Sequence, residues 1–151
     1  LSAKESYYYP EAKREEIDAL NWRIYAKLNN GVYEAEFTTT QNAYQEAIVP
    51  LFQSLDWLEA ILSAQTYPTG EETTVADWRL FTTLMRFDAV YVGYFKCNLR
   101  RIADYSALSN YVDSLLDVPV CKTVNMHHIT HHYYQSHQTI NPSGVVPLGP
   151  L

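Results

Sequence analysis

Thr74-Val-Ala-Asp77-Trp-Arg-Leu80-Phe81-Thr-Thr-Leu84-Met85-Arg-Phe87-Asp-Ala-Val-Tyr91-Val-Gly-Tyr-Phe-Lys-Cys97-Asn-Leu-Arg-Arg101 is the stretch whose reading decides the fold. Thr74 and Asp77 are spaced as the N-cap and third residue of a helix. Each can satisfy an orphan donor of the other, in a capping box with Asp in place of Glu. Behind the cap, Val75, Leu80, Phe81, Leu84, Met85 and Phe87 leave little polar face. The segment therefore predicts a helix enclosed by protein on most sides and running on toward Arg101.

The flanking sequence supplies helices to enclose it. Upstream, Ile17, Leu20, Ile24 and Leu28 recur at three- and four-residue steps. With Pro10 near the start and Glu15 and Glu16 in the first turns, they predict a helix over 11–30, ended by Asn30-Gly31. A second helix is expected over 40–63, its inner stripe Ala43, Ala47, Ile48, Leu51, Leu55, Leu58 and Leu62 with Trp57 beside it, bent near Pro50. Tyr67-Pro-Thr-Gly70 reads as a turn. Downstream, Leu108, Tyr111, Leu115 and Leu116 predict a helix over 104–116 that Pro119 closes, and a last helix is expected over 120–132. Residues 1–10 read as a linker, 11–137 as one helical domain and 138–151, rich in Pro and Gly, as an extended tail. No repeat and no strand alternation interrupts the pattern, so the class is all-α.

Composition sets the outer bounds. At 151 residues and 47% hydrophobic, one domain can bury a sizeable core without covalent staples. A formal net charge of −6 opposes general nucleic-acid binding, which needs a surplus of Lys and Arg. Cys97 and Cys121 are too few and too unlike in setting for a disulfide framework, which favours a reducing, cytoplasmic compartment. No signal peptide is read at Leu1 and no apolar run is long enough to cross a bilayer, so no membrane association is expected.

Chemistry-bearing residues gather in Asn29-Asn-Gly-Val-Tyr33, in Phe87 through Asn98, and in His127 through Asn141, which holds all five histidines with Tyr133 and Tyr134. His127 with His131, and His128 with His132, lie one helical turn apart, as a metal-binding pair would. Further ligands at suitable spacing are missing, so solvated surface is the better reading and no metal is expected. Neither cysteine stands in a Cys-Pro or Cys-x-x-Cys setting that would favour a reactive thiolate, and both read as small buried apolar groups.

Asn29–Tyr33 with Thr39-Thr-Gln41, the run from Ala76 through Phe95-Lys-Cys-Asn-Leu-Arg-Arg-Ile102, His132-Tyr-Tyr134, Thr139-Ile-Asn-Pro142 and Val146-Pro-Leu-Gly-Pro150 together resemble the C-terminal domain of the glutathionyl-hydroquinone reductases, the Xi class of glutathione transferases. The similarity runs from Tyr8 onward. It implies a glutathione S-transferase C-terminal-like helical bundle that forms the acceptor wall for S-glutathionyl-hydroquinone reduction. In such proteins a thioredoxin-like domain binds the co-substrate glutathione and supplies the nucleophilic cysteine. The chain is accordingly expected to be inactive alone and to work with such a domain in cis or in trans, as a homodimer. By the same resemblance Tyr33, Tyr91 and Tyr134 match tyrosines that line the pocket for an aromatic quinone or hydroquinone. A phenol there can hydrogen-bond a quinol oxygen and act as a positioned acid. Arg100 and Arg101 are candidates for glutathione carboxylates, a partner subunit, or internal ion pairs. Two residues depart from the family pattern. Trp22 stands on an outward face where a polar residue is usual, which suggests contact with another chain, and Glu36 stands where a small residue is expected. The alternative function is a stand-alone helical binding or dimerisation module without catalysis.

Overall fold

A computed structural model describes residues 7–149. Most of the expected linker, residues 1–6, and the last two residues of the tail, 150–151, lie outside the described residues. Helix α1 (Arg14–Arg23) follows a 3-10 turn at Glu11–Lys13 and passes directly into a π-helical segment, Ile24–Asn29. Helices α2 (Gly31–Glu36) and α3 (Gln41–Leu62) come next. Helix α4 (Val75–Arg86) likewise runs into a π-helical segment, Phe87–Tyr91. Helices α5 (Ser106–Leu116) and α6 (Met126–Ser136) complete the bundle, each preceded by a 3-10 turn. Among the described residues there is no strand, only an isolated bridge between Tyr67 and Gly70 in the predicted turn, where Gly70 takes φ 116°. The all-α expectation holds.

The core forms where α1, α3, α4 and α5 bring their apolar stripes together. Ile17 and Leu28 from the first helix, Leu51, Leu55 and Leu58 from α3, Leu80 and Phe87 from the central helix, and Leu108 from α5 are all fully or almost fully buried. Each such side chain contributes about 1.5–3 kcal/mol by leaving water. The cap of α4 is built as its spacing implied. The Asp77 carboxylate accepts the Thr74 N–H at 2.7 Å and the Thr74 hydroxyl at 3.1 Å. Tyr111 of α5 donates to its other oxygen at 2.8 Å, so the cap also ties two helices together. Burial pushes the Asp77 carboxyl up from its usual range, and these hydrogen bonds pull against that rise.

Three boundaries differ from expectation. Asn30-Gly31 does not end a helix, because Asn30 keeps helical angles (φ −83°, ψ −34°) and its carbonyl accepts the Tyr33 N–H at 2.9 Å. Gly31 is buried there against Leu51, whose Cδ1 would lie 3.5 Å from an added Cβ, so the residue serves close packing of α2 on α3. The central helix stops after Tyr91 rather than near Arg101. Its exit is fixed by the Cys97 N–H donating back to the Tyr91 carbonyl at 2.9 Å and by Lys96 at φ 59°. The expected last helix divides into a 3-10 turn at Pro119–Thr123 and α6, which Asn125 caps by accepting the His128 N–H at 2.9 Å. Pro50 lies inside α3 without ending it, and Ser54 bonds the Pro50 carbonyl at 2.9 Å.

Candidate functional site

The two π segments matter most for the site. Closing hydrogen bonds across five residues, Asn30 N–H to Tyr25 carbonyl at 3.0 Å and Val92 N–H to Phe87 carbonyl at 2.9 Å, widens each helix by one residue and rotates the chain on its C-terminal side. Asn29 then reaches α4, donating to the Thr83 hydroxyl at 2.6 Å and the Arg79 carbonyl at 3.2 Å. Between these elements opens a groove of about 790 Å³, floored by Tyr33, Tyr91 and Tyr133 and flanked by Trp78, Arg79 and Arg86. That volume suits a ligand of one or two fused rings with substituents.

The three tyrosine hydroxyls form a chain, with Tyr133 in the middle. Its oxygen lies 2.9 Å from that of Tyr33 and 3.2 Å from that of Tyr91. Two hydrogen bonds among three hydroxyls consume two O–H donors, which leaves one donor for a ligand. Desolvation, reinforced by the Tyr133 hydroxyl, pushes the Tyr33 phenol up to about 12 and raises that of Tyr91 as well. Both are therefore protonated at neutral pH. Phe95 supports the rings from beneath, stacked on Tyr91 at 5.0 Å and tilted against Tyr33 at 5.2 Å between centroids.

Of the three tyrosines named from sequence, Tyr33 and Tyr91 meet in this groove and Tyr134 does not. Successive residues of α6 point about 100° apart, so Tyr133 faces the groove while Tyr134 packs on Tyr94 at 4.5 Å. The Tyr134 hydroxyl reaches Gly93, where an added Cβ would lie 3.3 Å away. Tyr133 stood in the sequence beside Tyr134, but the true start of α6 was needed to choose between them. Asn29 lay in a stretch singled out from the sequence, whereas Trp78, Arg79 and Arg86 carried no separate signal, since only the packing of α1 on α4 aligns them.

The remaining candidates sort by contact. Arg100 pairs with Asp56 and lies over the Tyr105 ring, and Arg101 grips Asp104 at 2.6 Å, so both guanidinium groups are engaged inside the domain. Cys97 is fully buried, and desolvation pushes its thiol up to about 12. Cys121 is also buried and its thiol raised. His127 and His131 stack at 3.8 Å, and among the described residues no three His, Cys, Asp or Glu side chains come together around a possible metal position. Trp22 is 68% exposed. No helix of the described residues is long and apolar enough to cross a membrane.

The helical bundle has the fold of a glutathione S-transferase C-terminal domain, and the family of that description matches residues 41–114. The chain belongs to that family, on the side of its Xi class. It is 55% identical over 144 residues to the glutathionyl-hydroquinone reductase PcpF of Sphingobium chlorophenolicum, covering 95% of this chain and 46% of that protein. The glutathione-bound structure of YqjG, a glutathione transferase homolog from Escherichia coli K-12, superposes with a TM-score of 0.92 at 50% identity, over 95% of this chain and 47% of that one. The glutathione S-transferase Xi of Phanerochaete chrysosporium does so with 0.92 at 49% identity, with the same coverage. The chain thus spans about half the length of the relatives it matches.

Proposed function

We propose that this chain is the acceptor-binding half of a glutathione-dependent reductase of S-glutathionyl-hydroquinones. The observation that supports this best is the Tyr33–Tyr133–Tyr91 hydroxyl chain, which holds a spare phenol O–H at the floor of a ring-sized groove. A quinol oxygen seated there would accept that proton's hydrogen bond, and such positioned acids contribute about 10²–10⁴-fold. Arg79 and Arg86 on the flank suit the carboxylates of a glutathionyl substituent. The thiol chemistry is supplied by a thioredoxin-like domain, in cis or in trans, because both cysteines of this chain are buried with raised thiols. By itself the chain is inactive, and its buried, unpaired thiols suit a cytoplasmic setting.

A second reading, a stand-alone binding or dimerisation module, is favoured by the exposure of Trp22 at 68% and Tyr25 at 59% on the first helix. One assay separates the two. The chain is incubated with glutathione and the glutathionyl conjugate of menadiol, with and without an added thioredoxin-like domain. Turnover only with the added domain supports the reductase reading. No turnover in either case leaves the module, and turnover by the chain alone refutes the division of labour.

A further inference from the structure

Helices α2 and α6 touch through two rungs, of which the hydroxyl pair Tyr33–Tyr133 is one. One turn further along both helices lies the other. Glu36 closes α2, His137 follows α6, and Oε1 of Glu36 stands 3.5 Å from Nδ1 of His137. The Glu36 side chain is only 1% exposed, and among the described residues neither of its oxygens nor His137 Nδ1 has a hydrogen-bond partner, the 3.5 Å approach of the two being their sole polar contact. A carboxylate taken out of water with no donor is costly, so the pair demands a proton between its members.

His137 is also the hinge of the chain beyond α6. Its carbonyl accepts the N–H groups of Ile140 and Asn141, each at 3.0 Å, and the Tyr94 hydroxyl at 3.2 Å. Its ring lies 5.7 Å from that of Tyr133 between centroids. His137 thus packs directly against the groove tyrosine.

We propose that Glu36 and His137 share one proton as a latch between α2 and α6, and that this latch positions Tyr133 for the hydroxyl chain of the groove. With the proton present, either the carboxyl O–H donates to Nδ1 or Nδ1–H donates to the carboxylate, and both arrangements hold the helices together. When the proton leaves, the charge of a carboxylate held out of water stands beside a neutral imidazole and is left uncompensated, even where Nδ1–H still donates to it, and the contact weakens. The other ionisable groups around the pair are Tyr33 on α2, Tyr94 and Cys97 in the loop after α4, and His132 and Tyr133 on α6 beside His137. Tyr33 and Cys97, both pushed up to about 12, and Tyr94, also raised, stay neutral and supply no counter-charge. Desolvation raises the Glu36 carboxyl to about 7. Because this value lies above that of the unfolded chain, the contribution of the latch is complete below the ordinary carboxylate range and is lost as pH rises through about 7.

The ligand part of this inference rests on the proposed ring-binding role of the groove, whereas the latch does not. Hydrogen exchange of α6 in the whole chain, corrected for intrinsic amide rates and tracked from about pH 5 to 8.5, reads the latch directly. Wild-type protection is expected to fall by up to about tenfold per pH unit until about pH 7, the slope set by one released proton, and to level off above it, while Glu36→Gln stays flat throughout. A flat wild-type profile, or a Glu36→Gln profile that matches the wild type, would overturn the latch. Menadione binding, read by tryptophan fluorescence across the same range, is expected to weaken with pH in the wild type and not in Glu36→Gln. An unchanging wild-type affinity would overturn the positioning of Tyr133. Absence of menadione binding at every pH would refute the groove's proposed role, and the exchange profile would still decide the latch.

Discussion

Tyr133 and Tyr134 are chemically identical neighbours, and their opposite roles show what a single residue's direction is worth. The first joins two hydroxyls across three helical segments; the second packs on Tyr94 and reaches toward Gly93. Tyr133→Phe removes the middle of the hydroxyl chain and is expected to weaken menadione binding by about 1 kcal/mol, the usual net worth of a hydrogen bond. Tyr134→Phe is expected to leave it unchanged. Isothermal titration of the two variants side by side checks the assignment, and equal losses would remove Tyr133 from its special place.

At the scale of elements, the α4 cap and the π segments do different work. Asp77 is fully buried and accepts from Thr74 and Tyr111, so it holds α4 at its start and against α5. Asp77→Ala strips the Thr74 N–H and the Tyr111 hydroxyl of their acceptor inside the core. The expected cost is about 2–4 kcal/mol, a lost cap together with a stranded buried donor. Thermal or urea unfolding measures it, and a loss below about 1 kcal/mol would show the cap to be ornamental. The cap was legible as Thr-x-x-Asp because it is local. The π segments were not, since their extra residue leaves no mark on a three- or four-residue apolar repeat, and they decide where Asn29, Tyr33 and Tyr91 point.

The whole molecule places its aromatic surplus unevenly. Phe87 and Phe95 fill the centre, while Trp22, Tyr25 and Phe37 face outward at 68%, 59% and 68% exposure. Exposed aromatic groups at that density favour association, and a Trp at the centre of an interface commonly carries about 2 kcal/mol or more. Trp22→Ala is therefore expected to shift the chain from dimer toward monomer in sedimentation velocity at micromolar concentration. An unchanged oligomeric state would take Trp22 out of the interface.

Periodicity, the Thr74–Asp77 spacing and the scarcity of strand signals were enough to determine an all-helical bundle with α4 at its centre, because those features act over three or four residues. The same local evidence misplaced the Asn30-Gly31 break, the end of the central helix and the start of α6. The first is set by a distant residue, Leu51 beneath Gly31, and the other two by short-range hydrogen bonds, at Cys97 and Asn125, that an apolar repeat does not reveal. The assembly of the groove around Tyr33 and Tyr91, the choice of Tyr133 over Tyr134, and the burial of Glu36 beside His137 were decided by the tertiary structure. Direction and desolvation are properties of packed helices, and no single segment of chain possesses them.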